Sequence, residues 1–194
     1  MKAVISGCGG IGSLGKDTDY IIQKAVINGM LMIAVDASED YEEGTAQEAT
    51  QSIIYEWERE PELSEERLEE CLENVLRRFP KISVTILVVE KKQMGIAHRG
   101  NNKLYHLLEY QIDEMTISKE GNRTVAVYGY TPKAEDAFVL MTDGFAELIR
   151  EQEVLIDYTK SGTPKELISY LSTRIGLRQG EEYDSYSALA LFFE

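Results

Sequence analysis

The chain reads as an α+β protein whose antiparallel sheets are covered by helices, and three observations carry that reading. Strand-like segments occupy both ends and the middle of the chain, while two helical segments stand together after the first strands instead of alternating with single strands. Between Ser83 and Tyr130 one strand-like run follows another with only short polar turns between them. That leaves no room for the crossover helices a parallel sheet requires.

M-K-A-V-I-S opens as a strand, and Y-I-I-Q-K-A-V-I continues the β-branched character after a glycine-rich stretch. A helix is predicted from Thr45 to Trp57, because Thr45 and Glu48 form a capping box and Ala46, Ala49, Ile53 and Trp57 recur at helical spacing. A second helix starts at Ser64 with Glu65 and Glu66 in its first turn, and Pro80 stops it. Leu68, Leu72, Val75, Leu76 and Phe79 make its apolar stripe. The runs V-T-I-L-V-V-E, M-G-I-A-H, K-L-Y-H-L-L, Q-I-D-E-M-T-I and T-V-A-V-Y-G-Y, separated by polar turns, predict an antiparallel meander. A-F-V-L-M-T adds a strand, Thr163-Pro164-Lys165-Glu166 opens a third long helix that Gly176 closes, and Ser187 to Phe193 forms a last strand. No internal repeat, low-complexity tract or linker interrupts this order.

The 194 residues, 43% of them hydrophobic, fit one domain spanning 1–194 with a sizeable core. A net charge of -14 argues against nucleic acid as a partner, since that affinity rests on clustered Lys and Arg. No apolar stretch approaches the roughly 20 residues of a membrane span, and the N-terminus lacks a signal-peptide layout, so no membrane partner is expected and the expected compartment is the cytoplasm. Two cysteines, Cys8 and Cys71, do not make a disulfide framework, and Cys71 is expected only to pack in a core.

Asp36, Asp143 and Asp184 each stand next to a short apolar run, and Asp19 lies in K-D-T-D-Y. Carboxylates at the rim of a sheet suit a hard divalent cation. A rival reading starts from Gly7-Cys8-Gly9-Gly10-Ile11-Gly12, which fits G-x-G-x-x-G after a strand, with Asp36 near the distance of a ribose-binding acid in a dinucleotide-binding protein. That motif needs a helix directly after its glycines, whereas Ser13 to Asp19 carries helix breakers. A third reading makes the glycines a loop after an edge strand.

Taken together and in order, the four acids resemble the metal-binding pattern of the PPM family, the metal-dependent protein phosphatases of type 2C. I-A-V-D-A-S-E-D-Y-E-E-G-T-A aligns without a gap to V-A-D-G-M-G-G-H-x-x-G-E, which sets Asp36 on the metal aspartate and Gly44 on the later glycine. D-T-D-Y is similar to N-E-D-A/S, V-L-M-T-D-G-F to L-L-x-S-D-G-L, and E-E-Y-D-S-Y-S-A-L-A-L-F-F to D-N-x-T-x-x-x-V. These set Asp19, Asp143 and Asp184 on the remaining acidic ligands. Between them S-V-T-I-L-V-V is similar to the G-S/T-T-A strand and I-A-H-R-G-N-N-K-L-Y-H-L to A-N-V-G-D-S-R-A-Y-L-L, so the resemblance covers nearly the whole chain.

The resemblance implies a four-layer α/β/β/α sandwich of two antiparallel sheets flanked by helices. It implies hydrolysis of phosphoserine or phosphothreonine in a phosphorylated protein, with two Mg2+ or Mn2+ ions activating a water. Asp36 would bridge both ions, Ala37 would offer its carbonyl, and Asp19, Asp143 and Asp184 would complete the shell. A cognate kinase is a further implied partner. The chain departs from the pattern in several places. The phosphate-gripping arginine falls near Leu14, leaving Lys16 as the nearest substitute, a point charge without a bidentate fork. Ala37 replaces a glycine, tolerable only if its φ is not positive. Asn101 replaces the acid of a third metal site, and the Tyr130 to Asp136 segment is too short for the usual flap. These departures frame a second expectation, a pseudophosphatase retained as a binding module. His98 and His106, the only histidines, are expected to play cross-strand or surface roles, Trp57 to pack, and the acidic run Glu39 to Glu43 to be a solvated loop.

Overall fold

The computed structural model describes residues 1–194 except 1, 14, 16, 39, 117–125 and 179–182. Its elements run in the order β1 (Ala3–Gly10), β2 (Asp19–Val26), β3 (Gly29–Ala37), α1 (Thr45–Arg59), α2 (Glu65–Arg78), β4 (Ile82–Glu90), β5 (Gln93–Arg99), β6 (Lys103–Leu107), β7 (Ile112–Glu114), β8 (Ala126–Tyr130), β9 (Ala137–Met141), α3 (Asp143–Leu148), α4 (Glu151–Tyr158), α5 (Pro164–Gly176) and β10 (Tyr186–Phe193). The chain is thus α+β with two antiparallel five-stranded sheets and helices, in agreement with the sequence reading. It divides into two compact units, each holding one sheet.

One unit comprises Thr18–Asn102 and Thr116–Pro132, with sheet order β2-β3-β4-β5-β8. Alternate residues of β3 and β4, namely Leu31, Ile33, Val35, Val84, Ile86 and Val88, meet Ala49, Ile53 and Trp57 of α1 and Leu68, Leu72 and Val75 of α2 in one core. Period-two alternation in the strands and the 3.6-residue stripe of each helix create this layer pair. Arg67, buried in the first turn of α2, turns back to α1: its Nε donates to the Glu60 carbonyl at 2.9 Å and its Nη2 to the Glu56 carbonyl. A guanidinium thus satisfies carbonyls at the C-terminus of a neighbouring helix, where positive charge is favoured.

The other unit comprises Met1–Asp17, Lys103–Met115 and Lys133–Glu194, with sheet order β1-β10-β9-β6-β7. Leu167, Leu171 and Ile175 of α5, Phe145 of α3 and Val154 of α4 pack on Val139, Met141, Ala188 and Ala190. α5 begins as predicted, with the Thr163 hydroxyl accepting the Glu166 N–H at 3.2 Å and Pro164 at its first position. Gly176 is its last residue and Leu177 its C-cap. Among the described residues no helix is long and apolar enough to cross a membrane.

Several expectations are corrected. The stretch from Ser83 to Tyr130 is not one meander: β4 and β5 stay in the first sheet, β6 and β7 join the second, and β8 returns to pair with β5. Turn residues mark where a strand ends but not which edge the next strand takes, and here β8 occupies the free edge of β5. Thr45 is the first helical residue rather than the cap: Gly44 holds the cap position at φ 87°, and the Thr45 hydroxyl donates to the Glu42 carbonyl at 2.7 Å. No Thr45–Glu48 capping box forms. The short helices α3 and α4 have no counterpart among the elements the sequence predicts.

The glycine fingerprint is resolved by β1, which runs through Gly7, Gly9 and Gly10 and pairs antiparallel with β10. A Cβ at Gly7 would lie 2.4 Å from the Leu189 side chain and one at Gly9 2.8 Å from Ser187 Oγ, so these glycines admit the side chains of β10. The next element among the described residues is β2 and not a helix, so the dinucleotide reading loses the helix N-terminus it needs. The glycine-loop reading holds only for Gly12, because Gly7, Gly9 and Gly10 lie in the strand. The predicted turn Glu120-Gly121-Asn122 lies outside the described residues.

Candidate functional site

Asp19 opens β2 and Asp36 lies near the end of β3, and the two are directly opposite in the antiparallel register. The Ala37 N–H donates to the Thr18 carbonyl at 2.9 Å, which makes 18/37 a hydrogen-bonded pair and 19/36 the adjacent non-hydrogen-bonded pair. In such pairs the Cα atoms approach to about 4.5 Å and the side chains are at their closest. Asp19 is only 5% exposed. Leu31, Ile33, Val35 and Ala37 face the helices, so Asp36 projects from the opposite face of the sheet, as Asp19 does. Like charges directly opposite repel, and a dication between two carboxylates reverses the sign of that interaction.

Asp143 and Asp184 belong to the other unit. Asp143 is the first residue of α3, and its Oδ1 accepts the Gly144 N–H at 2.8 Å. Asp184 lies just before β10, and its Oδ1 accepts the Ser185 N–H at 2.7 Å. The two segments touch: a Cβ at Gly144 would stand 2.1 Å from the Ser185 carbonyl oxygen and 3.4 Å from Asp184 Cβ. The loop after β1 packs on the same segment, with the Gly12 N–H donating to Ser185 Oγ at 3.3 Å. The predicted acids therefore come two to a unit. Among the described residues no three Asp, Glu, His or Cys side chains stand close enough to one another to hold a metal ion.

Lys16 lies outside the described residues. Ala37 stays in β3 and is not among the positive-φ residues, so the change from glycine brings no backbone strain. Asn101 is exposed, with its N–H donating to Ser83 Oγ at 3.1 Å. His98 is fully buried, its Nδ1 2.9 Å from Thr85 Oγ1 across the β4–β5 pair. His106 Nε2 lies 3.1 Å from Asp136 Oδ1, and its ring stacks on Phe138 at 4.7 Å. Both histidines thus have the cross-strand role, and neither is on the surface. The described part of the acidic run is exposed apart from half-buried Tyr41, with Asp40 paired to Lys81 at 2.7 Å. Trp57 packs in the core with no exposed surface. Burial pushes the Cys71 thiol up to about 12, in keeping with a packing role.

Ser83 heads the run S-V-T-I-L-V-V, and the sequence resemblance leaves it without a site role. It stands opposite Asp36 in β4, on the face that carries Asp19 and Asp36. The available signal was the polar pair Ser83 and Thr85 at period two within an otherwise apolar strand, which marks one face as other than plain core.

No family model matches the sequence, and no curated protein matches it. Solved structures do. The chain is similar to a bacterial serine phosphatase (TM-score 0.77, 14% identity, 97% of each chain covered). It is similar to the serine/threonine phosphatase Stp1 from Staphylococcus aureus (TM-score 0.78, 13% identity, 100% of this chain and 96% of that one). It is also similar to the catalytic domain of the serine/threonine protein phosphatase PstP, solved in complex with 2 manganese ions (TM-score 0.73, 14% identity, 98% and 97% covered). The fold is that of the bacterial PPM-type serine/threonine phosphatases, the one the sequence resemblance implied.

Proposed function

We propose that residues 1–194 form one PPM-type domain that hydrolyses phosphoserine or phosphothreonine in a protein substrate, in a cytoplasmic signalling setting. The observation that supports this reading most is the Asp19–Asp36 pair, two acids held opposite each other at non-hydrogen-bonded positions on the face of the sheet away from its helices. Oxygen donors of this kind suit Mg2+ or Mn2+. In this reading Asp36 would serve both ions, and Asp19, Asp143, Asp184 and the Ala37 carbonyl would complete the donor set. When bound, the ions supply an activated water and offset charge on the phosphoryl oxygens. Lys16 is assigned to the phosphate as a point charge, a weaker grip than a guanidinium fork.

A second reading, a pseudophosphatase that binds a kinase or phosphoprotein, draws support from Asn101 in place of an acid and from Leu14 in place of an arginine. A manganese-dependent assay on a phosphoserine peptide separates the two. The phosphatase reading expects turnover that Asp143→Asn lowers by at least about 100-fold, the upper range for disturbing a metal shell. Wild-type protein without turnover, yet binding the phosphopeptide, supports the second reading.

A further inference from the structure

Among the described residues the first sheet ends at β8, and the direction of its outermost main-chain groups follows from the bond between Ala37 N–H and the Thr18 carbonyl. That bond fixes the hydrogen-bonded pairs of β2 and β3. Unbroken antiparallel registers carry the alternation across the sheet, giving Asp36/Ser83, then Val88/Gly95, then Met94/Tyr130 and Ile96/Tyr128 as hydrogen-bonded pairs. The two-residue turn between Glu90 and Gln93 requires the same parity. The N–H and C=O groups of Val127 and Gly129 therefore point away from β5. The strand sequence Ala-Val-Tyr-Gly-Tyr has none of the charges or prolines that blunt a sheet edge, and Gly129 is exposed.

On the helix-covered face, Val88, Gly95 and Gly129 form one cross-strand row in which the last two positions have no side chain. A cavity of about 280 Å³ lies there, lined in part by Leu63, Ser64, Glu65 and Leu68. A Cβ at Gly95 would strike Leu63 and Leu68 at 2.5 and 2.6 Å, whereas one at Gly129 meets no described residue within 4 Å. A strand added beside β8 places the residue opposite Gly129 in this row, with its side chain toward the cavity. Glu62, Glu65, Glu66 and Glu69 are exposed at and around the start of α2, so the surroundings are acidic.

We propose that the outer edge of β8 docks an extended segment of a partner protein, which carries one large apolar side chain over Gly129 and basic residues two positions to either side. A second copy of this chain fits poorly, because its β8 is uncharged, it brings the same acidic residues and its net charge is -14. The proposal concerns the helix-covered face and the far edge of the sheet, not the face of Asp19 and Asp36.

The test uses a fluorescein-labelled Lys-Val-Phe-Val-Lys peptide with the full chain, read by fluorescence anisotropy and by amide shifts of the 15N-labelled protein. Binding is expected to move the amides of Val127 and Gly129. It is expected to weaken at least tenfold when Phe is replaced by Ala, when the Lys residues are replaced by Glu, and in Gly129→Pro, which removes only an outward donor and keeps the β5 ladder. Should Gly129→Pro lose the native circular dichroism spectrum, Gly129→Leu, which fills the mouth of the cavity, is expected to give the same loss. Absence of binding to the wild-type chain, unchanged affinity in a folded Gly129 variant, or self-association through β8 in place of peptide binding overturns the proposal.

Discussion

Glu153 shows how much one side chain can organise in this chain. It stands in the first turn of α4, where its carboxylate accepts the Arg150 N–H at 3.1 Å and the Arg178 guanidinium at 2.6 Å, with Arg174 at 3.4 Å. The hydrogen bond from Arg178 first, then that from Arg150, pulls its pKa down to about 2. A carboxylate whose folded pKa lies below its unfolded one stabilises the fold above the usual carboxylate range, and that contribution is lost as pH falls from roughly 4.3 toward the folded value. Glu153→Gln is therefore expected to lower the melting temperature by about 2 °C at pH 7. The gap to wild type closes as the pH approaches 2, and thermal melts across that range check it. A gap that persists at the acid end contradicts the assignment of the effect to ionised Glu153.

At the scale of elements, the helix starts separate a true cap from an apparent one. The Ser64 hydroxyl accepts the Arg67 N–H at 3.2 Å in the place the sequence predicts, whereas Thr45 is already inside α1. Ser64→Ala is expected to cost about 1 kcal/mol in a denaturant titration. Thr45→Ala is expected to cost no more than about 0.5 kcal/mol, as for a surface position outside the cap. Equal costs at the two sites contradict the cap assignment. The long helices were legible because Ala46, Ala49, Ile53 and Trp57, and Leu68, Leu72 and Val75, repeat over several turns. α3, with six residues, and α4, with eight, are too short to show a repeat, and Gly144 at the start of α3 reads as a turn. The strands were legible from their own patterns. Their partners were not, because nothing in Gly100-Asn101-Asn102 says that the chain moves to another sheet.

For the whole molecule, identities of 13–14% accompany TM-scores of 0.73–0.78 over nearly the full chain, so pattern rather than residue identity carries the fold. The candidate acids also stand out by pattern. Asp36 and Asp143 were legible because each ends an apolar run, and the structure sets Asp36 opposite Asp19 and Asp143 beside the Asp184 segment. Ser83 was not legible as a neighbour of Asp36, because opposition across β3 and β4 is a fact of register. The glycines of β1 misled in the other direction: their spacing fits a phosphate-binding turn, but their use is to let Leu189 and Ser187 approach. In the proposed function the Asp19–Asp36 pair holds cations. A calorimetric titration with Mn2+ is predicted to give two ions per chain, with at least one lost in Asp36→Asn. No bound ion at millimolar Mn2+, or full occupancy in Asp36→Asn, would contradict it.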